Sequence, residues 1–103
     1  MNIEKGLPKT MNDAVTELIS KLSEEVKNKI RKTPKKDLGG EFHFGLGTWI
    51  RNNFGLWAGN DELMQSVCGD KYGDPDHASS VIIEEVWKVL RKEAKKQAYH
   101  VHQ

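Results

Sequence analysis

His43, Gly47 and Arg51 fall at positions i, i+4 and i+8 of a segment with helical apolar spacing. That spacing sets an imidazole and a guanidinium on one helix face, with the glycine leaving a gap between them. A guanidinium is a planar fork for carboxylate or phosphate, and an imidazole exchanges a proton near neutral pH. Asn52 adds an amide beside them, and Asp74-Pro75-Asp76-His77 brings two carboxylates and a second imidazole. Two fates for Arg51 follow. Pairing with Asp74 or Asp76 would lock two helices together, and this is favoured because Arg51 is the only Lys or Arg between Lys36 and Lys71. Otherwise His43, Arg51, Asn52, Asp74, Asp76 and His77 form a small-molecule or phosphate site, and enzymatic chemistry stays open. No catalytic residue is assigned, because no Ser or Cys nucleophile lies near His43 in the sequence, and Ser79 and Ser80 belong to a helix start.

Metal chemistry finds less support. His77, His100 and His102 with Asp76 match no zinc spacing, and the lone Cys68 lacks a Cys-x-x-Cys partner, so neither metal nor cofactor is expected. With no second cysteine there is no intramolecular disulfide, which points to a reducing compartment. Cys68 itself has only Lys71 as a nearby cation and is expected to be an inert thiol.

These groups need helices to position them. Thr10 is expected to cap a first helix carrying Val15, Leu18, Ile19 and Leu22; Ser23, followed by Glu24 and Glu25, opens a second with Val26 and Ile30 inward. The two should form a hairpin. Thr33-Pro34 stops the run, since a residue before proline is pushed out of helical geometry, and Lys35 to Gly40 is expected to be a connector. A third helix, Glu41 to Asn53, carries Phe42, Leu46, Trp49, Ile50 and Phe54 and ends at Gly55. Gly45 and Gly47 inside it each cost about 1 kcal/mol relative to alanine, which close approach of another backbone would offset. Asn60 caps a short fourth helix ending at Gly69, and Asp74-Pro75 starts the last, whose stripe is Ala78, Val81, Ile82, Val86, Val89 and Leu90. The fold class is all-α: an irregular bundle of four to five helices with the long C-terminal helix as spine. Residues 1–9 are expected to be an arm, 10–98 one helical domain and 99–103 a frayed tail.

Residues 42–57 hold three glycines and five Phe or Trp rings. With Asp74-Pro75-Asp76-His77-Ala78-Ser79 they resemble a family of short bacterial proteins known as a domain of unknown function. The family pattern is a His, a Gly-Leu-Gly, an Ile-Arg-Asn and a Gly-Leu-Trp, then a Pro-Asp ahead of a Ser that opens an apolar helix. His43, Gly45, Leu46, Gly47, Ile50, Arg51, Asn52, Gly55, Leu56 and Trp57 match the first part, and Pro75, Asp76 and Ser79 the second. Similar sequences carry His-Pro-Asp-Asp where this chain has Asp74-Pro75-Asp76-His77, so a histidine and an acid have changed places. The resemblance spans roughly residues 10 to 91 and implies the fold without implying an activity.

Of 103 residues, 37% are hydrophobic and 30% charged, the composition of one ordinary globular domain. Met1 to Thr10 carry charges and a proline where a secretory signal needs an apolar run, and no window suits a membrane span, so a cytoplasmic protein without membrane contact is expected. A net charge of +1 gives no global attraction for nucleic acid. Locally, Lys27 to Lys36 and Lys88 to Lys96 are basic while residues 60–77 are acidic, so nucleic-acid binding requires both basic segments on one face. No basic residue except Arg51 interleaves with Trp49, Trp57 and Trp87, which suit cores or interfaces better than base stacking. The favoured function is a small intracellular interaction or regulatory domain, more binder than enzyme. It would take a protein partner through the glycine and aromatic motif, with Phe44, Leu56 and Trp57 as anchors, and the oligomeric state stays open.

Overall fold

The first helix starts where a threonine side chain replaces a missing carbonyl. In the computed structural model, which describes residues 7–69 and 73–101 with side chains through Lys95, Thr10 Oγ1 accepts from the Asp13 amide at 3.1 Å and opens α1, Met11–Lys21. Ser23 Oγ does the same for Val26 at 3.2 Å and opens α2, Glu24–Lys32. Ala14, Val15 and Leu18 of α1 and Ile30 of α2 are buried. The expected hairpin is replaced by another arrangement, in which α1 and α2 each pack chiefly on the last helix. Leu22 and Ser23, both extended, turn the chain from one to the other.

Past Thr33-Pro34 the chain forms a 3-10 turn, Lys35–Asp37, then α3, Leu38–Phe42, a π turn, His43–Gly47, and α4, Thr48–Asn53, in unbroken succession. The connector expected at Lys35 to Gly40 is therefore helical from Leu38. Leu38 and Phe42, one helical turn apart, are both buried, and that burial outweighs the helix-weakening effect of the exposed Gly39 and Gly40 between them. The π turn adds one residue to the repeat. Burial consequently steps from Phe42 to Gly47, five positions on, and then to Ile50, Arg51 and Phe54. Phe44 and Gly45 are turned to solvent.

Gly55, at φ +71°, ends this rod. Asn60 then caps α5, Asp61–Cys68, by accepting from the Leu63 amide at 3.4 Å. At Asp74 the carboxylate accepts from the His77 amide (2.9 Å) and the carbonyl from Ala78 (2.9 Å), and Pro75 leads α6, Pro75–Val101. α6 runs for 27 residues and contacts every other helix, so it is the spine of the bundle. Its inward residues Ala78, Ile82, Ile83, Val86 and Leu90 meet Leu18, Ile30, Ile50, Phe54 and Leu63 in one core. The helix continues through Tyr99 and His100 to Val101, past the point where fraying is expected; His102 and Gln103, like residues 1–6 of the arm, lie outside the described residues. The chain is all-α, with no strand among the described residues and no described helix long and apolar enough to cross a membrane.

Candidate functional site

Side chains on a helix lean toward its N-terminus, so Arg51 reaches back over the residue one turn before it. That residue is Gly47. A Cβ there would stand 2.9 Å from Arg51 Nη1, 3.3 Å from the Phe42 carbonyl oxygen and 3.7 Å from Ser79 Oγ. A side chain at this position would have to displace the guanidinium, which already fills the space and is held there by hydrogen bonds. The offsetting contact expected from another backbone is thus supplied by Arg51, with Ser79 of α6 behind it. Gly45 has nothing near its missing side chain and marks no close approach.

With its side chain only 7% exposed, Arg51 needs internal partners, because an ion removed from water must be hydrogen-bonded. Nη1 donates to Ser79 Oγ (2.8 Å), and Nη2 to Thr48 Oγ1 (3.0 Å) and the His43 carbonyl oxygen (3.1 Å). Ser79 Oγ donates onward to the Asp76 carbonyl at 3.0 Å. Arg51 Nε lies 3.4 Å from Asp76 Oδ1, a carboxylate whose side chain is 56% exposed. One cation therefore ties the π turn, α4 and the first turn of α6 together. Of the two acids expected as partner, Asp76 takes the role; Asp74 is spent on the helix cap.

The gap expected between His43 and Arg51 does not exist for a ligand, since Arg51 occupies it. His43 gives the cluster its carbonyl, while its half-buried ring stands edge-on to Phe44 at 4.8 Å. Asn52 and His77 are exposed and take no part in the Arg51 contacts. Leu56, expected at an interface, is a core residue at 5% exposure, drawn inward by the Gly55 turn. Phe44 and Trp57 face solvent, 85% and 62% exposed.

Two positions do more than their sequence signals indicate. Asn60, legible as a cap, also donates from Nδ2 to the Pro8 (2.9 Å) and Phe54 (2.8 Å) carbonyls, fastening the arm to the turn after α4. Thr48 holds Arg51 from three positions away, a spacing at which helix side chains meet. Among the described residues no three His, Cys, Asp or Glu side chains gather as a metal set; the side chains of His100 and His102 lie outside the described residues. Cys68 is a free thiol whose pKa is raised above its ordinary value, first by burial and then by the negative charge of Asp74.

Residues 7–90, which include both the buried arginine cluster and the exposed aromatics, match a family described as Domain of unknown function (DUF6794). The chain belongs to that family. The match begins at Leu7, beside the arm residue held by Asn60, and ends at Leu90, the last core residue of α6. No curated protein and no solved structure matches the chain.

Proposed function

We propose that this domain is a small interaction module that binds a protein partner through Phe44 and Trp57. The observation that carries the proposal is the division within residues 42–57. Phe42, Gly47, Ile50, Arg51, Phe54 and Leu56 are buried, whereas Phe44 and Trp57 stand in water. Among the described residues the exposed large hydrophobics are Leu7, Phe44 and Trp57, so two of the three come from this one motif. Burying such a side chain contributes about 1.5 to 3 kcal/mol, and aromatic anchors dominate many interfaces. The partner implied is a protein surface with apolar recesses. A lone free thiol suits the reducing cytoplasm in which we place this activity. The alternative of a phosphate or small-molecule site at His43, Arg51 and Asp76 has less support, because the guanidinium is buried and bonded to the protein's own oxygens.

The test is affinity capture with wild type, Phe44→Ser and Trp57→Ser in parallel. Any protein retained by wild type is then identified, purified and titrated against all three. The proposal expects each substitution to weaken binding at least about tenfold while the melting temperature stays unchanged. Equal affinity of all three proteins for every captured partner would contradict it.

A further inference from the structure

Arg31 of the first basic segment meets the second basic segment around Trp87. Arg31 from α2 and Lys88, Arg91, Lys92 and Lys95 from α6 line, with Trp87 and Ala94, a groove of about 570 Å³ whose walls contain no carboxylate. Lys9, Lys27, Lys29 and Lys35 each have an acid elsewhere in the fold: Glu62, Glu24, Glu41 and Glu84. In the groove, Arg31, Arg91, Lys92 and Lys95 have none among the described residues, and Lys88 reaches only Glu85, at 4.0 Å.

The arginines are held in place without being neutralised. Arg91 Nη1 donates to the Arg31 carbonyl at 3.1 Å, and its guanidinium lies 4.7 Å over the Trp87 ring. Arg31 Nε donates to the Leu90 carbonyl at 3.4 Å, and Trp87 Nε1 to the Thr33 carbonyl at 2.8 Å. Carbonyl contacts orient a cation but leave its charge intact, and a pre-ordered cation loses less freedom when an anion arrives.

We propose that this groove docks a short acidic segment of a protein partner, one that carries an apolar residue between its carboxylates. The cations lining the groove suit the carboxylates, and Trp87 with Ala94 adds apolar lining between them. Lys88 to Lys95 spans about 10 Å of helix, which matches about three residues of extended peptide. Nucleic acid fits less well. Arg91 covers a face of Trp87 on which a base would stack, and Glu84, Glu85 and Glu93 on the same helix oppose a long polyanion. This contact is independent of Phe44 and Trp57.

The probe is a synthetic peptide of aspartates and glutamates flanking a central leucine, titrated at low salt while the indole N–H resonance of Trp87, assigned with Trp87→Phe, is followed by NMR. A Gln/Asn version of the peptide, a single-stranded oligothymidylate and vesicles containing phosphatidylserine are run in parallel. The expected result is that the acidic peptide shifts the Trp87 resonance and binds more tightly than all three. Lys92→Gln with Lys95→Gln, both exposed positions, should weaken it by about tenfold, and Phe44→Ser should leave it unchanged. Equal binding of the neutral peptide, or full affinity in the lysine double variant, would overturn the proposal. Tighter binding of the oligonucleotide or the vesicles would overturn it in favour of a phosphate-bearing surface.

Discussion

Arg51 is folded back over Gly47, its Nη1 standing 2.9 Å from where a side chain on residue 47 would begin. The two residues are one structural unit. The glycine gives the guanidinium a seat against the helix, and the guanidinium spends its hydrogen bonds on α6 and on the π turn. That turn also directs Phe44 outward, so a single local irregularity serves both the packing and the proposed contact surface.

The cluster is asymmetric, and mutation should expose the asymmetry. Arg51→Ala leaves the buried Ser79 hydroxyl with only its bond to the Asp76 carbonyl and opens a void, so a loss of about 3 kcal/mol is expected from the lost packing and hydrogen bonds. Asp76→Asn removes a charge that is more than half in water, where ion pairs contribute about 0 to 1 kcal/mol. Urea unfolding of the two variants measures both. Equal losses would mean that the carboxylate, rather than the neutral oxygens, sustains the arginine.

Asn60→Ala should cost about 1 to 3 kcal/mol, because the Phe54 and Pro8 carbonyls lose a buried donor and α5 loses its cap. Proteolysis should also cut the chain near Leu7 to Lys9 faster in the variant. Unchanged cleavage there would show that the arm is held by something other than Asn60.

Cys68 alkylation should lag that of an unshifted thiol at every pH below its raised pKa, since only the thiolate attacks. Asp74 contributes to the shift through its negative charge, so Asp74→Asn should lower the pKa and speed alkylation at fixed pH. The pH dependence of iodoacetamide labelling reads this directly. A slower variant would contradict the assigned cause.

Much of the fold was legible because caps and stripes are local. Thr10, Ser23, Asn60 and Asp74 each bond backbone amides within three residues, so their sequence context suffices to place a helix start. The π turn was not legible. It shifts the buried register by one residue, and a pattern counted at i and i+4 places His43 beside Gly47 when burial runs from Phe42 to Gly47. The partnership of Arg51 with Asp76 followed from charge isolation, whereas its stronger ties to Ser79, Thr48 and a main-chain carbonyl depended on how two helices cross. The grouping of Arg31 with Arg91 around Trp87 likewise arises from contacts between α2 and α6, which lie some sixty positions apart in the chain.

The most direct test of the Arg51–Gly47 unit is the unfolding free energy of Gly47→Ala in two backgrounds, wild type and Arg51→Met. In wild type the added methyl group meets the guanidinium, and a loss of about 1 to 3 kcal/mol is expected. In Arg51→Met the flexible thioether can yield, and alanine's helical preference of about 1 kcal/mol over glycine works against the remaining crowding by the Phe42 carbonyl. Gly47→Ala should then be neutral or stabilising. The same loss in both backgrounds would show that Arg51 does not occupy the space above Gly47, and the central claim would fail.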